Sequence, residues 1–321
     1  MSRPRLTIVI PIRNRQQPGE RALRSAAAQL ASRAEVVVVD DASEPAFRIP
    51  ADLLSNGSIR LLRLSENRGA GFARNAGIAA AEAAWIALLD SDDYWLPGTL
   101  GPRLEIAEAG FAGDRDPLVV HAAGFVQQRL LSMRQTRIPR ESANPRDFAG
   151  ACWFAPGSTL LVRKEAFDRV GPYDVELRRL EDLDWFLRLA LCGGRLRVWA
   201  RPAAVIDNEP QFTAVHLTEA IARLGRKYLA KGSADRLPRP LARRLRAYLA
   251  IEHAALCARQ RRWLGLMGHL GWSFCLVPRL SLHLARFWQF EPPPPDLRPA
   301  GDVGIHAGTA AATSTSLRPA G

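Results

Sequence analysis

The first hundred residues alternate short β-branched runs with alanine-rich stretches whose apolar positions recur every three or four residues. This pattern predicts strands at Leu6 to Ile10, Val36 to Val39, Ile59 to Leu64 and Trp85 to Leu89, and helices at Glu20 to Ala31 and Ala70 to Ala84. Such alternation implies an α/β domain on a mainly parallel sheet, in which ligands collect beyond the carboxyl ends of the strands. The residues expected there are Pro11-Ile12-Arg13-Asn14-Arg15, Asp40-Asp41, Glu66-Asn67-Arg68-Gly69 and Asp90-Ser91-Asp92-Asp93. Residues 110–150 show no regular period and read as an irregular connection. A second block follows, with a strand at Thr159 to Val162, a turn at Gly171-Pro172-Tyr173-Asp174 and an amphipathic helix from about Glu181. Beyond Pro202 the pattern is helical, and after Phe290 a proline run leads into a Gly/Ala/Thr/Ser tail expected to be disordered.

Composition adds a polarity to this picture. The 321 residues, 47% of them hydrophobic, suffice for a sizeable core, and Lys plus Arg exceed Asp plus Glu by 44 to 32, a net charge of +12. From Arg223 to Arg262 there are twelve basic residues against Asp235 and Glu252, a surplus of +10. That block lacks interleaved aromatics and any nucleic-acid-binding module, so no nucleic-acid partner is expected. Leu241, Leu245, Tyr248, Leu249 and Leu256 fall on one helical face beside Arg243, Arg244 and Arg246. The face suits either an anionic membrane surface or a helical subdomain packed on the sheet. Trp263 to Pro278 is apolar but interrupted by Gly265, Gly268, His269 and Gly271, and falls short of the roughly 20 residues a membrane span needs. Cys152, Cys192, Cys257 and Cys275 have no metal-ligand spacing, and Leu6 to Ile12 is too short for a signal sequence. A reducing, cytoplasmic setting is expected, with the inner face of the cytoplasmic membrane as a possible peripheral site.

Several clusters can carry chemistry. Asp90 and Asp92, one residue apart at a strand end, can share a hard divalent cation, or else form an acidic turn and helix cap. Asp40-Asp41 can accept from a base or ribose, or simply build a turn. Gly69-Ala70-Gly71-Phe72-Ala73-Arg74 sits where a dinucleotide fingerprint would, but Arg74 replaces the third glycine. An arginine there can reach a phosphate or pair with a carboxylate. Glu181, Asp182 and Asp184 suit a helix N-terminus, and one of them can serve as a general base. Trp185 can stack on an acceptor sugar or fill the core, and His216 is a candidate metal ligand or a structural histidine.

In order and spacing these stretches resemble glycosyltransferase family 2, the large inverting family with the GT-A fold. The resemblance runs over roughly residues 5 to 210, through IVIPIRNR (8–15), VVVVDDASE (36–44), ENRGAGFARNAG (66–77), WIALLDSDDYWLPGTL (85–100) and the segment from Pro156 to Ala190. It implies a GT-A catalytic domain over 1–215, with a nucleotide-sugar-binding half to residue 110 and an acceptor-binding half over 111–215. A basic helical extension over 216–290 and a disordered tail over 291–321 complete the expected organisation. It also implies donor contacts from Pro11, Arg13, Asp40, Asp41, Arg74 and Asp90, and Mg²⁺ or Mn²⁺ on Asp92 with Asp90. Asp182 is the implied base, within a Glu181-Asp182 pair. The implied reaction moves one sugar from a UDP-, GDP- or dTDP-linked donor to a saccharide or lipid-linked hydroxyl acceptor. Gln260-Arg261-Arg262-Trp263 is one residue short of the motif of processive members, so single addition is expected. The competing reading is a non-catalytic scaffold at a membrane surface.

Overall fold

The apolar run Leu6–Ile12 forms β1, wholly buried, and Gln16–Ala27 forms the crossover helix α1. Four consecutive valines give the next strand no polar face, which only cover on both sides can satisfy. All four are buried in β2 (Ala34–Asp40). In the computed structural model of the chain, which describes residues 4–29, 34–54, 57–110, 116–128, 134–207, 214–278 and 287–291, β2 lies between β1 and β3 (Ile59–Arg63). Helix α2 (Ala70–Ala80) then returns the chain to β4 (Trp85–Leu88) on the other side of β1. All three pairings are parallel, as expected. Gly77 permits α2 to lie close on this sheet, since a Cβ there would overlap Val9.

The other half of the sheet departs from the expectation. After the short strand β5 (Tyr94–Trp95) and helix α3 (Leu100–Ala109), the stretch read as irregular contains β6 (Val119–Gln128), β7 (Arg134–Pro139) and a helical turn, α4 (Pro145–Phe148). Ala122, Ala123 and Gly124 dilute the β-branched signal of β6, yet its first eight residues are buried. Pro156–Thr159, part of which was expected as strand, is a second helical turn, α5, and the strand β8 is only Leu161–Arg163. The short helix α6 (Lys164–Val170), helix α7 (Glu181–Leu191) and the long strand β9 (Arg195–Asp207) follow. β8 runs antiparallel to β4 and β6, β7 runs antiparallel to β6, and β9 runs parallel to β6 while also pairing with β5. The sheet is therefore mixed: crossover helices make one half parallel, and short returns make the other largely antiparallel.

The helices α8 (Ala214–Leu229), α9 (Arg239–Arg259) and α10 (Trp263–Leu276) follow. Leu245 and Leu249 of α9 are buried with Leu217 and Leu224 of α8 and Leu183 and Leu187 of α7. The apolar face of α9 is thus packed within the fold on α7 and α8, as in the second of the two readings above. The expected helical extension over 216–290 also needs correction, because β10 (Trp288–Glu291) pairs with β7. There Phe287 stacks on Trp153 at 4.4 Å between ring centroids, and Trp288 donates its indole N–H to Trp153 O at 2.6 Å. The tail expected to be disordered lies, from residue 292, outside the described residues. The four cysteines are free thiols, and among the described residues no helix is long and apolar enough to cross a membrane.

Candidate functional site

Loops after β1, β2 and β4 converge with the start of α7 on a cleft of about 500 Å³. Asn14, Ala42, Ala155 and Leu180 all have φ between 47° and 61°, the left-handed region that side chains disfavour. Each sits in a loop that borders the cleft: between Arg13 and Arg15, after Asp41, two residues before Gly157, and before Glu181. Strain concentrated in this way accompanies functional sites.

At the centre is Arg74, one turn into α2 and 3% exposed. It donates from Nη2 to Asp90 Oδ1 at 2.7 Å and from Nη1 to Glu181 Oε1 at 3.0 Å, and Asp182 Oδ1 lies 3.6 Å away. One cation thus faces three carboxylates contributed by the end of β4 and the start of α7. Burial pushes the Asp182 carboxyl up to about 7; Arg74 opposes the rise, and Glu181 and Asp90 add to it. Arg74 Nε, Asp182 Oδ1 and the buried Tyr173 hydroxyl make no hydrogen bond among the described residues, and the Arg74 guanidinium lies 5.7 Å from the Tyr173 ring.

Asp90 and Asp92 are positioned from below. Ser158 Oγ accepts from the Asp90 N–H at 3.1 Å, and a Cβ on Gly157 would overlap the Asp90 carboxylate, so glycine is required at this approach. Arg15 Nη1 meets Asp92 Oδ2 at 2.7 Å. Burial and then the Asp90 charge raise the Asp92 carboxyl, with Arg15 pulling the other way. Asp93, next along, points inward: it accepts from Ser158 Oγ and from the Asp207 N–H at 2.9 Å, joining the loop after β4 to β9.

Comparison with known proteins fits this geometry. Residues 7–171, just over half of the chain, match the family described as Glycosyl transferase family 2. The chain belongs to glycosyltransferase family 2. It is 35% identical to the succinoglycan biosynthesis protein ExoO of Rhizobium meliloti over 202 residues, 61% of this chain and 58% of that protein. It is 31% identical to ExoU of the same organism over 210 residues, 60% of this chain and again 58% of the relative. The chain therefore spans under two thirds of the length of these relatives. Among solved structures, S. aureus TarS 1-349 in complex with UDP-GlcNAc superposes with a TM-score of 0.57 at 18% identity, covering 87% of this chain and 83% of that one. That likeness supports the expected GT-A fold.

Within this family 2 chain the expected site residues separate into groups. Pro11, Arg13, Asp41, Arg74, Asp90, Asp92, Glu181, Asp182 and His216 all line the cleft. Asp40 does not: it is wholly buried, and its two oxygens accept from the N–H groups of Ser43 at 2.9 Å and Phe47 at 3.1 Å. Its expected donor contact is corrected to an anchor of the loop after β2. Asp41 accepts from the N–H groups of Arg68 and Gly69 at 2.9 and 2.8 Å, holding the glycine-rich segment against the cleft. Trp185 is also corrected. With 0% exposure and its indole N–H given to Gly171 O at 2.9 Å, it fills the core and cannot meet an acceptor.

The fold family implies a divalent cation, and the acidic pair fits one of the magnesium type, which takes one or two carboxylates and completes its shell with phosphate and water. Arg15 and Arg74 each engage one oxygen of Asp92 and Asp90, leaving a second oxygen on each. His216 lines the same cleft as Asp90 and Asp92, though no group of three His, Cys, Asp or Glu gathers among the described residues.

Sequence reasoning passed over Arg15, Arg178, Arg179, Cys152 and Tyr248, which also line the cleft. Arg15 lay inside a motif already singled out, so its proximity to the strand end was the available signal. Tyr248 had none, because it reaches the cleft from α9, far along the chain. Its phenol is held neutral by burial and by the neighbouring charge of Glu252, to which it is hydrogen-bonded.

Proposed function

We propose that the protein is an inverting glycosyltransferase that transfers one sugar from a nucleoside-diphosphate donor to a hydroxyl acceptor. The observation that carries this reading is the Arg74 cluster, which ties the donor-side Asp90 to Glu181 and Asp182 across the cleft. Asp182, with its carboxyl near 7, is matched to take a proton at neutral pH. It deprotonates the acceptor hydroxyl as that oxygen attacks the anomeric carbon, while the bond to the leaving diphosphate breaks on the opposite face in a single inverting displacement. Arg13, Arg15, Arg178 and Arg179 surround the cleft with guanidinium groups that suit the diphosphate. Asp90 and Asp92 would hold Mg²⁺ or Mn²⁺, which supplies electrostatic stabilisation of the departing diphosphate. Asp41 orients the loop that faces the nucleotide.

UDP is the first nucleotide to test, because a TarS structure of this fold holds UDP-GlcNAc. The likeness to ExoO and ExoU supports a place in polysaccharide assembly. A cytoplasmic location, at or near a membrane where lipid-linked acceptors reside, is consistent with the absence of a spanning helix among the described residues. The experiment is a release assay over UDP-, GDP- and dTDP-sugars with Mg²⁺, Mn²⁺ or a chelator. Metal-dependent release of one nucleoside diphosphate, abolished in Asp92→Ala, is expected. No release from any donor would overturn the enzyme reading.

A further inference from the structure

Helix α10 has the composition of a buried helix and the exposure of a surface one. Over Trp263–Leu276 it has no charged residue other than the titratable His269, yet Trp263 is 62% exposed, Leu264 92%, Met267 67%, Trp272 58% and Phe274 48%. Its inner side is fixed against α9. Ser273 Oγ donates to Ala247 O at 2.9 Å, the His269 ring stacks on His253 with centroids 4.9 Å apart, and Gly265 lies against Cys257. At 3.6 residues per turn, Trp263, Leu264, Met267 and Phe274 fall within an arc of about 100° on the side away from α9. A contiguous apolar face of this kind needs a partner.

Charge indicates what that partner is. No Asp or Glu occurs from His253 to Phe290. Arg261 and Arg262, exposed at the corner where α9 turns into α10, stand beside Trp263 and Leu264. Among the described residues neither pairs with an acid. Arg243 caps the other end, donating to Leu276 O. Arginines framing an apolar face that carries a tryptophan match the headgroup and upper acyl region of an anionic bilayer. The helix is about 21 Å long at 1.5 Å per residue, too short to cross the roughly 30 Å hydrocarbon layer, so it lies in the plane of the interface.

We propose that the outer face of α10, with Arg261 and Arg262, is the surface by which this protein docks on an anionic lipid bilayer. Resting on the transferase reading, the arrangement has a consequence for acceptor access. Helix α9 holds α10 through Ala247 and lines the cleft through the adjacent Tyr248, so a docked α10 is one helix layer from the site where an acceptor hydroxyl must arrive.

The test is flotation of the full chain with vesicles of phosphatidylcholine alone or mixed with phosphatidylglycerol, together with tryptophan emission. The wild type should float with the mixed vesicles, blue-shift its emission, and release at high salt. Joint Trp263→Ser, Leu264→Ser and Met267→Ser should lower partitioning by about tenfold or more, and Arg261→Gln with Arg262→Gln should abolish the preference for phosphatidylglycerol. Leu264→Ser alone, at a side chain almost wholly in solvent, is the control for folding and should weaken binding in part. Absence of wild-type flotation, or undiminished flotation of the triple variant, would overturn the proposal. So would a solution dimer that the triple variant dissociates while vesicles fail to bind, since a second copy would then be the partner. Nucleotide release from the donor sugar should be unchanged in all these variants, which separates failure of docking from failure of the transferase reading.

Discussion

Replacing Asp182 with Asn removes a carboxyl that the fold holds near neutrality while keeping its shape. The displacement from 3.8 to about 7 corresponds to roughly 4 kcal/mol between the two protonation states. Because the native value is raised above the unfolded one, the penalty is absent below about pH 4, where both states hold the proton. Between about pH 4 and 7 the unfolded chain ionises while the native chain does not, so this group's contribution to stability falls as pH rises; above about 7 the whole penalty is present. Asp182→Asn should therefore melt higher than wild type at pH 8, by an amount approaching but not exceeding that figure, and show little difference near pH 4. Arg74 retains Asp90 and Glu181 in the variant, so no cation is stranded. In the nucleotide-release assay the same substitution should lower kcat by about 10²- to 10⁴-fold with donor KM unchanged. The wild-type rate should climb with pH and level off above about 7. Urea melts at the two pH values and the pH–rate profile check both halves. A variant with no relative gain in stability at pH 8, or one that turns over at the wild-type rate, would refute the assignment of Asp182 as a buried base.

Gly157→Ala should place a methyl group inside the Asp90 carboxylate, cutting turnover by about 10²-fold or more in the release assay while circular dichroism keeps its native form. Arg74→Gln leaves three carboxylates facing one another, with an expected loss of about 3 to 5 kcal/mol in urea melts. Any residual activity should begin at higher pH, because Arg74, with Arg179 as a smaller contributor, opposes the rise at Asp182. Asp184→Asn weakens a wholly buried carboxylate that accepts from Lys227 at 2.6 Å, Tyr228 Oη at 2.7 Å and Arg188 at 2.9 Å. It should lower stability by about 3 kcal/mol or more, read by thermal melting, with a smaller effect on donor KM than on melting temperature.

The parallel half of the sheet and most of the cleft were legible because they rest on local signals. Four valines announce β2, a basic turn stands directly after β1, and acidic or glycine-containing turns follow β2, β3 and β4 in sequence. Of the antiparallel half only β8 was legible, in part, from the strand expected at Thr159 to Val162; β6 was not, since it is built from Val-Val-His-Ala-Ala-Gly and is specified by partners on β9 and β7 rather than by its own period. The roles of Asp40 and Asp41 were indistinguishable by residue type, because both end the same strand. What separates them is where each carboxylate finds its donors: Asp40 in the amides of Ser43 and Phe47, and Asp41 in those of Arg68 and Gly69 in the glycine-rich segment. Trp185 illustrates the same limit on a helix: its neighbours Glu181 and Asp182 face the cleft, but Trp185 is turned into the aromatic cluster with Phe167, Tyr173 and Phe186.

The basic surplus also divides in two. Arg223 makes a two-pronged contact with Asp174, at 2.9 and 3.0 Å, and pairs with Glu176, while Lys227 reaches Asp184. Burial alone would raise the Asp174 carboxyl, but these hydrogen bonds and charges hold it below its ordinary range. Cations of α8 therefore secure the loop and helix that carry Glu181 and Asp182, and are already satisfied within the fold. Arg261 and Arg262 pair with no acid among the described residues and stand at the edge of the apolar face of α10. Helix α9 lies between these two sets, with Tyr248 at the cleft and Ala247 against α10. A charge block that reads as uniform in sequence thus holds two kinds of cation: Arg223 and Lys227 are paired with the loop and helix that carry Glu181 and Asp182, and Arg261 and Arg262 are the ones proposed to meet anionic lipid.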